Sequence, residues 1–190
     1  MKRKKQLSDI AEIRFGINVR EGASAEVPCV MAKDFDRAGR FKNNMIYKIS
    51  RELVKDRDWL EPGLILFNGK GQRHFAVVWE GWVQKAVASS TFFVISPKSE
   101  RVDRHYLAWY LNSKAARRYF QRDIKVTTIN TISRKQLERL PVVLPDTGEQ
   151  RQIVKIWETW QREKQLMRQW TEKMEYYINA ILDKKINEKA

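Results

Sequence analysis

The sequence predicts an α+β protein, with a mixed α/β domain over residues 1–146 and one long coiled-coil-type helix over 147–190. Three observations predict it. All five prolines and seven of the eight glycines precede residue 147, so the chain's turns are confined there. Short β-branched runs alternate with helical patterns in the same stretch. From Thr147 onward, helix-favouring residues run on unbroken and apolar ones recur every seventh position.

Taken in order, the basic start Lys2 to Lys5 is expected to be a frayed tail. Ser8 can cap a short helix over Ile10, Ala11 and Ile13, which Gly16 ends. Val27 to Met31 suits a strand, followed by a turn-rich stretch from Asp34 to Gly39. A short helix is expected from Ser50 to Asp58, and Glu61-Pro62-Gly63 then turns the chain. Leu64 to Phe67 and Phe75 to Trp79 are strand-like. The connection between them opens with Asn68-Gly69, the pair that favours tight hairpin turns. Thr91 to Ile95 gives a further strand. Asp103 can cap a helix whose apolar face is Tyr106, Leu107, Tyr110, Leu111 and Ala115. Ser133 and Gln136 form a capping box for a short helix through Leu140. Asp146 or Thr147 caps the long helix, on which Ile153, Trp160, Met167, Met174 and Ile181 repeat in one phase. Ile156, Trp170 and Tyr177 run beside them, interrupted by Glu163. A helix of about 40 residues is roughly 60 Å long, against a radius of gyration of about 15 Å for the domain. The stripe is therefore expected to be covered in part by another chain.

Charge points to the partner. Lys and Arg number 37 against 23 Asp and Glu, for a formal net charge of +14 and a pI near 10.0. Residues 1–146 carry 28 of those cations against 16 acids, whereas 147–190 carry 9 against 7. A polyanion is the expected partner of the first part, with nucleic acid ahead of a membrane surface. No apolar run reaches the roughly 18 residues of a spanning helix. No apolar segment of a secretory signal follows the basic start, so a cytoplasmic protein is expected. The single cysteine, Cys29, excludes an internal disulfide framework and a cysteine-rich zinc site.

Catalytic signatures are thin. The glycine-rich nucleotide loops and the nucleophile elbow are missing. His74 and His105 stand without a second histidine at ligand spacing, and Cys29 lies in an apolar run that suits a core thiol. Asp34 and Asp36 are explained by turn chemistry. No catalytic residue and no metal ligand is assigned.

Three polar, basic stretches carry the binding expectation. The first holds Lys33, Arg37, Arg40, Lys42 and Asn43, and the second Lys70, Gln72, Arg73 and His74. The third holds Lys125, Thr127, Thr128 and Asn130. Arg and Lys can pair with phosphates or guanine edges, Asn and Gln with adenine, and Thr with phosphate or the thymine methyl. Arg117, Arg118 and Arg122 form either a phosphate-tracking row or a plain solvent face.

The order of several motifs resembles the target recognition domain of type I restriction-modification specificity subunits. These are Leu7-Ser8-Asp9-Ile10-Ala11-Glu12-Ile13-Arg14-Phe15-Gly16 at the entry and Leu60-Glu61-Pro62-Gly63-Leu64-Ile65-Leu66-Phe67, where Leu64 replaces the family's usual Asp. Ala86 to Ile95 follows, then Tyr106-Leu107-Ala108-Trp109-Tyr110-Leu111-Asn112-Ser113. Leu140-Pro141-Val142-Val143-Leu144-Pro145 and Glu149-Gln150-Arg151-Gln152-Ile153-Val154 close the set, where the family joins its domain to a long helix.

The resemblance implies a non-catalytic, sequence-specific binder of double-stranded DNA in a prokaryotic cytoplasm. It implies recruitment of methyltransferase and restriction subunits, on which S-adenosylmethionine, ATP and magnesium would sit. Family members carry two such domains in tandem. One domain and one helix imply a half-sized subunit that pairs as a homodimer through Ile153, Ile156, Trp160, Met167, Trp170, Met174, Tyr177 and Ile181. Each copy then reads half of a bipartite site. The rival expectation is an adaptor or inhibitor that binds such subunits through the helix without reading DNA. A nuclease would need an acidic metal cluster that the sequence lacks.

Overall fold

The computed structural model describes residues 3–18, 26–36, 38–42, 47–122 and 131–187. The chain divides into two compact units, Met1–Arg151 and Gln152–Ala190. The expected site residues Arg37, Asn43, Lys125, Thr127, Thr128 and Asn130 lie outside the described residues.

In the first unit the elements run β1 (Arg3–Gln6), α1 (Leu7–Ile10), β2 (Ala11–Phe15), β3 (Val27–Val30), β4 (Lys48–Ile49), β5 (Ile65–Asn68) and β6 (Ala76–Val78). They continue as β7 (Val87–Ala88), β8 (Phe92–Pro97), α2 (Arg104–Leu111), α3 (Lys114–Gln121), α4 (Arg134–Glu138) and β9 (Pro141–Leu144). An antiparallel sheet in the order β2-β8-β5-β6 organises them. A smaller sheet, β4-β3-β7, holds a parallel pair between β3 and β7.

β5 is buried along its whole length, which explains why it reads as an unbroken apolar run. Leu66 lies in register with Val94 and Val77 and packs into a core with Phe35, Trp79 and Phe92. Phe67 lies in register with Phe93, and its ring meets that of Phe120 on α3 at 5.6 Å. A second core gathers Val27, Cys29, Ile49, Val54 and Val87.

Asn112, which follows α2, closes the free edge of the main sheet. Its Nδ2 donates to the Ala76 carbonyl at 2.7 Å and its Oδ1 accepts from the Ala76 amide at 3.0 Å. An amide thereby supplies both bonds that a further strand would give to this residue of β6. Tyr106 and Tyr110 donate their hydroxyls to the carbonyls of Val143 and Pro141 at 2.6 and 2.8 Å, tying α2 to β9.

Several local expectations change. Residues 11–15 form β2, and the expected helix stops at Ile10, because Ala11 and Ile13 alternate with Glu12 and pair along β8. The start of the chain is a strand that pairs antiparallel with β9, with Lys5 opposite Val142. The expected helix between Ser50 and Asp58 is two separate single-turn 3₁₀ segments. The helix capped by Asp103 ends at Leu111, and Ser113 caps a new one. Ala116 therefore meets the core while Ala115 is exposed. The Ser133–Gln136 capping box forms as expected.

α5 (Thr147–Asn187) is continuous, and Asp146 caps it by accepting from the Glu149 amide at 2.9 Å. Its first turn belongs with the first unit because Gln150 is completely buried. Gln150 Oε1 accepts from the Asp103 amide, and Nε2 donates to the carbonyls of Arg101 and Pro145, each at 2.9 Å. In the second unit the apolar stripe is open to solvent. Ile156 is 72% exposed, Trp170 66% and Met167 59%. Among the described residues no helix is long and apolar enough to cross a membrane.

Replacing Gln150 by Leu takes the side-chain partner from one amide and two carbonyls at a part-buried site. Such groups cost about 1–3 kcal/mol. Urea denaturation of Gln150→Leu is expected to show a loss of about 1–3 kcal/mol. The exposed neighbour variant Gln152→Leu should stay within about 0.5 kcal/mol of the parent.

Candidate nucleic-acid interface

The first basic stretch folds as a closed turn. Asp34 accepts from the Met31 amide at 2.8 Å, and Phe35 and Phe41 face each other as an antiparallel bridge. Inside it, Asp36 Oδ1 accepts from the amides of Ala38 and Arg40 at 2.8 and 2.9 Å, and Oδ2 meets the Arg40 guanidinium at 2.9 Å. Burial pushes the Asp36 carboxyl up, but the Arg40 and Ala38 bonds outweigh it and hold it below the ordinary carboxylate range. Asp36 therefore acts as a turn organiser, as its residue type predicts. Lys42 Nζ donates to the Lys33 carbonyl at 2.8 Å, while the Lys33 side chain stays exposed.

The second stretch is a longer loop than the Asn-Gly pair predicts. β5 ends at Asn68 and β6 begins at Ala76. Asn68 is buried, and its Nδ2 donates to the carbonyls of Lys70 and Arg73 at 3.1 and 2.6 Å. Gly69 is needed for packing, because a Cβ there would strike the Phe93 ring. The left-handed residue of the loop is Gly71, at φ +94°.

Arg73 turns inward. Its Nη1 donates to the Asp36 carbonyl and its Nη2 to the Phe35 carbonyl at 3.5 Å, with the guanidinium 4.4 Å over the Phe75 ring. The sequence expectation placed Arg73 among the DNA-contacting side chains; in the structure its fork is occupied by carbonyls of the neighbouring turn. His74 is half-buried, its Nδ1 3.1 Å from the Asn68 carbonyl and its Nε2 buried without a hydrogen-bond partner among the described residues. Burial lowers its pKa, partly opposed by the Asn68 contact. His74 is thus a neutral ring at physiological pH. Lys70 and Gln72 are exposed.

The third stretch lies outside the described residues, but its end is visible. Thr131 bridges Lys70, and the Ile132 amide donates to the Gly69 carbonyl at 2.8 Å. The loop after β5 therefore touches the first stretch and the residues that follow the third. Beside it, α3 presents Lys114, Arg117, Arg118 and Arg122 to solvent while Phe120 packs on Phe67. Sequence reasoning missed Asn68 and Arg73 as organisers. A lone Asn-Gly pair signals a turn, and only the packing of Phe93 against Gly69 shows that it is a different one.

Cys29 is a fully buried core thiol, pushed up to about 12 by burial and then by Asp34. It carries no thiolate at neutral pH. Among the described residues no three His, Cys, Asp or Glu side chains gather as metal ligands.

The depressed His74 pKa makes a pH dependence. The unfolded chain takes up a proton near pH 6.5 and the folded chain only below its lowered value. The contribution is present above about pH 6.5 and is lost as pH falls from there through the folded pKa. The denaturation midpoint is expected to drop between pH 7.5 and 5.5, and to drop less in His74→Gln. Ring titration of His74 at or above pH 6.5 in the folded protein would contradict this.

Residues 66–176, more than half of the chain, match the family model of the type I restriction modification DNA specificity domain. No curated protein sequence matches. Among solved structures, one chain comes from work on complex assembly and conformational transition of the type I R-M system. It is 19% identical, at a TM-score of 0.58, and the match covers 85% of this chain and 38% of that one. The HsdS subunit of Thermoanaerobacter tengcongensis is 17% identical, with a TM-score of 0.58 and coverage of 85% and 37%. The type I restriction-modification S subunit of M. genitalium is 11% identical, with a TM-score of 0.55 and coverage of 84% and 39%. At these identities the likeness is one of fold. The present chain spans less than two fifths of the length of these three structures.

Proposed function

The chain belongs to the type I restriction modification DNA specificity domain family, and from that premise we propose that it is a half-sized, non-catalytic specificity subunit. Residues 1–146 read one half of a bipartite site in duplex DNA, and residues 147–190 pair two copies. Methyl transfer and cleavage belong to the modification and restriction subunits it recruits. The observation that carries the DNA reading is the family match over residues 66–176. The joining of the first two basic stretches through Arg73 supports placing the contacts there.

Exposed Lys33 and Lys70 contact phosphates, and exposed Gln72 contacts a base edge. Arg40 and Lys42 add positive potential from within the turn they help to close. The exposed basic residues of α3 extend the same field. The exposed stripe on α5 supports pairing with a second copy. Two copies related by two-fold symmetry would read an inverted repeat.

Binding to duplexes selected from a random library tests the reading. If about six phosphates are neutralised, log K falls against log salt with a slope near −5. Lys33→Ala and Lys70→Ala should weaken selected and random duplexes alike. Gln72→Ala should relax preference at one position, by roughly 1–3 kcal/mol. Equal affinity of the parent for selected and random duplexes would favour an adaptor without sequence reading.

Pairing is tested separately. Met167→Glu places a carboxylate in the stripe, where an apolar partner surface would leave it unpaired. Sedimentation of this variant should show monomers at concentrations where the parent is dimeric. A parent that stays monomeric when concentrated, without other subunits, overturns the homodimer.

A further inference from the structure

We infer that Arg73 is a positioning residue that fixes the register between two DNA-contacting loops, and that it neither pairs with a phosphate nor reads a base. The inference rests on the DNA reading above and refines it. Its ground is the direction of the side chain. The guanidinium leaves its own loop and donates to the carbonyls of Phe35 and Asp36, at the head of the turn that carries Lys33, Arg40 and Lys42. The Phe75 ring beneath it, 4.4 Å from the guanidinium carbon, restricts the fork to that orientation.

Both ends of this link are held. On the Arg73 side, the Asn68 amide grips the Arg73 and Lys70 carbonyls, and Asn68 ends a strand buried along its length. The Gly69 carbonyl accepts from Ile132, and Lys70 bridges Thr131. On the other side, Asp36 Oδ1 and Oδ2 close the turn upon Arg40, and Phe35 sits in the core against Phe75 and Phe92. The packing of Phe35 on Phe75 brings the turn and the loop together, and the fork, bonded to the turn's backbone, sets the distance at which their exposed cations stand. Reading several base pairs together needs that spacing, because a contact displaced by about 1 Å loses much of its value. A planar fork can serve two adjacent carbonyls at once, which an ammonium on a flexible stem does less well.

A double-mutant cycle on folded protein tests this, with Arg73→Ala, Arg73→Lys, Lys33→Ala and the combined Arg73→Ala/Lys33→Ala variant. Each is assayed on selected and random duplexes well below its own melting temperature. Arg73→Ala is expected to cut the selected-over-random ratio by about tenfold or more, on the scale of a mismatched pair. The salt slope on random duplex should stay at the parent value. Arg73→Lys should not restore the ratio. Once Arg73→Ala is present, adding Lys33→Ala should cost less than about twofold on the selected duplex, since coupled residues are non-additive. A random-duplex slope smaller by about one, with rescue by Lys, makes Arg73 a phosphate contact and overturns the inference. Additive effects with preference relaxed at a single position make it a base reader and overturn it too. A parent without any preference overturns the DNA reading itself, and this inference with it.

Discussion

Burial of one amide side chain, that of Asn68, governs the shape of the candidate interface. β5 is covered on both faces, so the residue that ends it enters the interior before the chain can turn. A buried amide must find partners or lose about 1–3 kcal/mol. Its Nδ2 finds them in the carbonyls of Lys70 and Arg73, two and five residues further on, whereas Oδ1 is buried without a hydrogen-bond partner among the described residues. That choice widens the connection from a two-residue turn into a loop and carries Lys70 and Gln72 to the surface. It also aims Arg73 at the neighbouring turn.

The same use of side-chain amides recurs where backbone groups would otherwise be orphaned. Asn112 completes the edge of β6, and Gln150 joins the first turn of α5 to the residues before α2. Each amide supplies a donor and an acceptor together, so it substitutes for a piece of backbone. Gln150 also marks where the chain changes regime. Up to this residue the first turn of α5 is held by the first unit, whereas Ile156, Met167 and Trp170 are exposed. An apolar stripe of such length, left open to water, is a surface in need of a partner.

Legibility in the sequence followed the range of the interactions. Three caps were legible, since Asp103, Ser133 and Asp146 each bond to an amide three residues on, whereas Ser8 lies inside α1 and the cap at Ser113 was not read. The strands around residues 27–30, 65–68 and 92–97 were legible as apolar, β-branched runs. Residues 11–15 were misread as helix because Ala11 and Ile13 fit either periodicity over so short a stretch, and β8 decides between them. The start of the chain was misread as frayed because nothing local marks Arg3–Gln6 as a strand. Its partner β9 lies far away in the sequence.

By itself, the sequence determined the concentration of positive charge before residue 147, the seven-residue repeat after it, and the ordered motifs that mark the family. These are properties of composition and spacing, and folding does not alter them. Which polar side chains face solvent and which are spent inside was settled by the tertiary fold alone. Lys33, Lys70 and Gln72 reach outward, while Arg73 is turned onto the carbonyls of Phe35 and Asp36. An arginine in a polar loop carries the same charge in either role. What separates the two is a carbonyl 37 residues away in the sequence, brought within reach by the packing of Phe35 against Phe75.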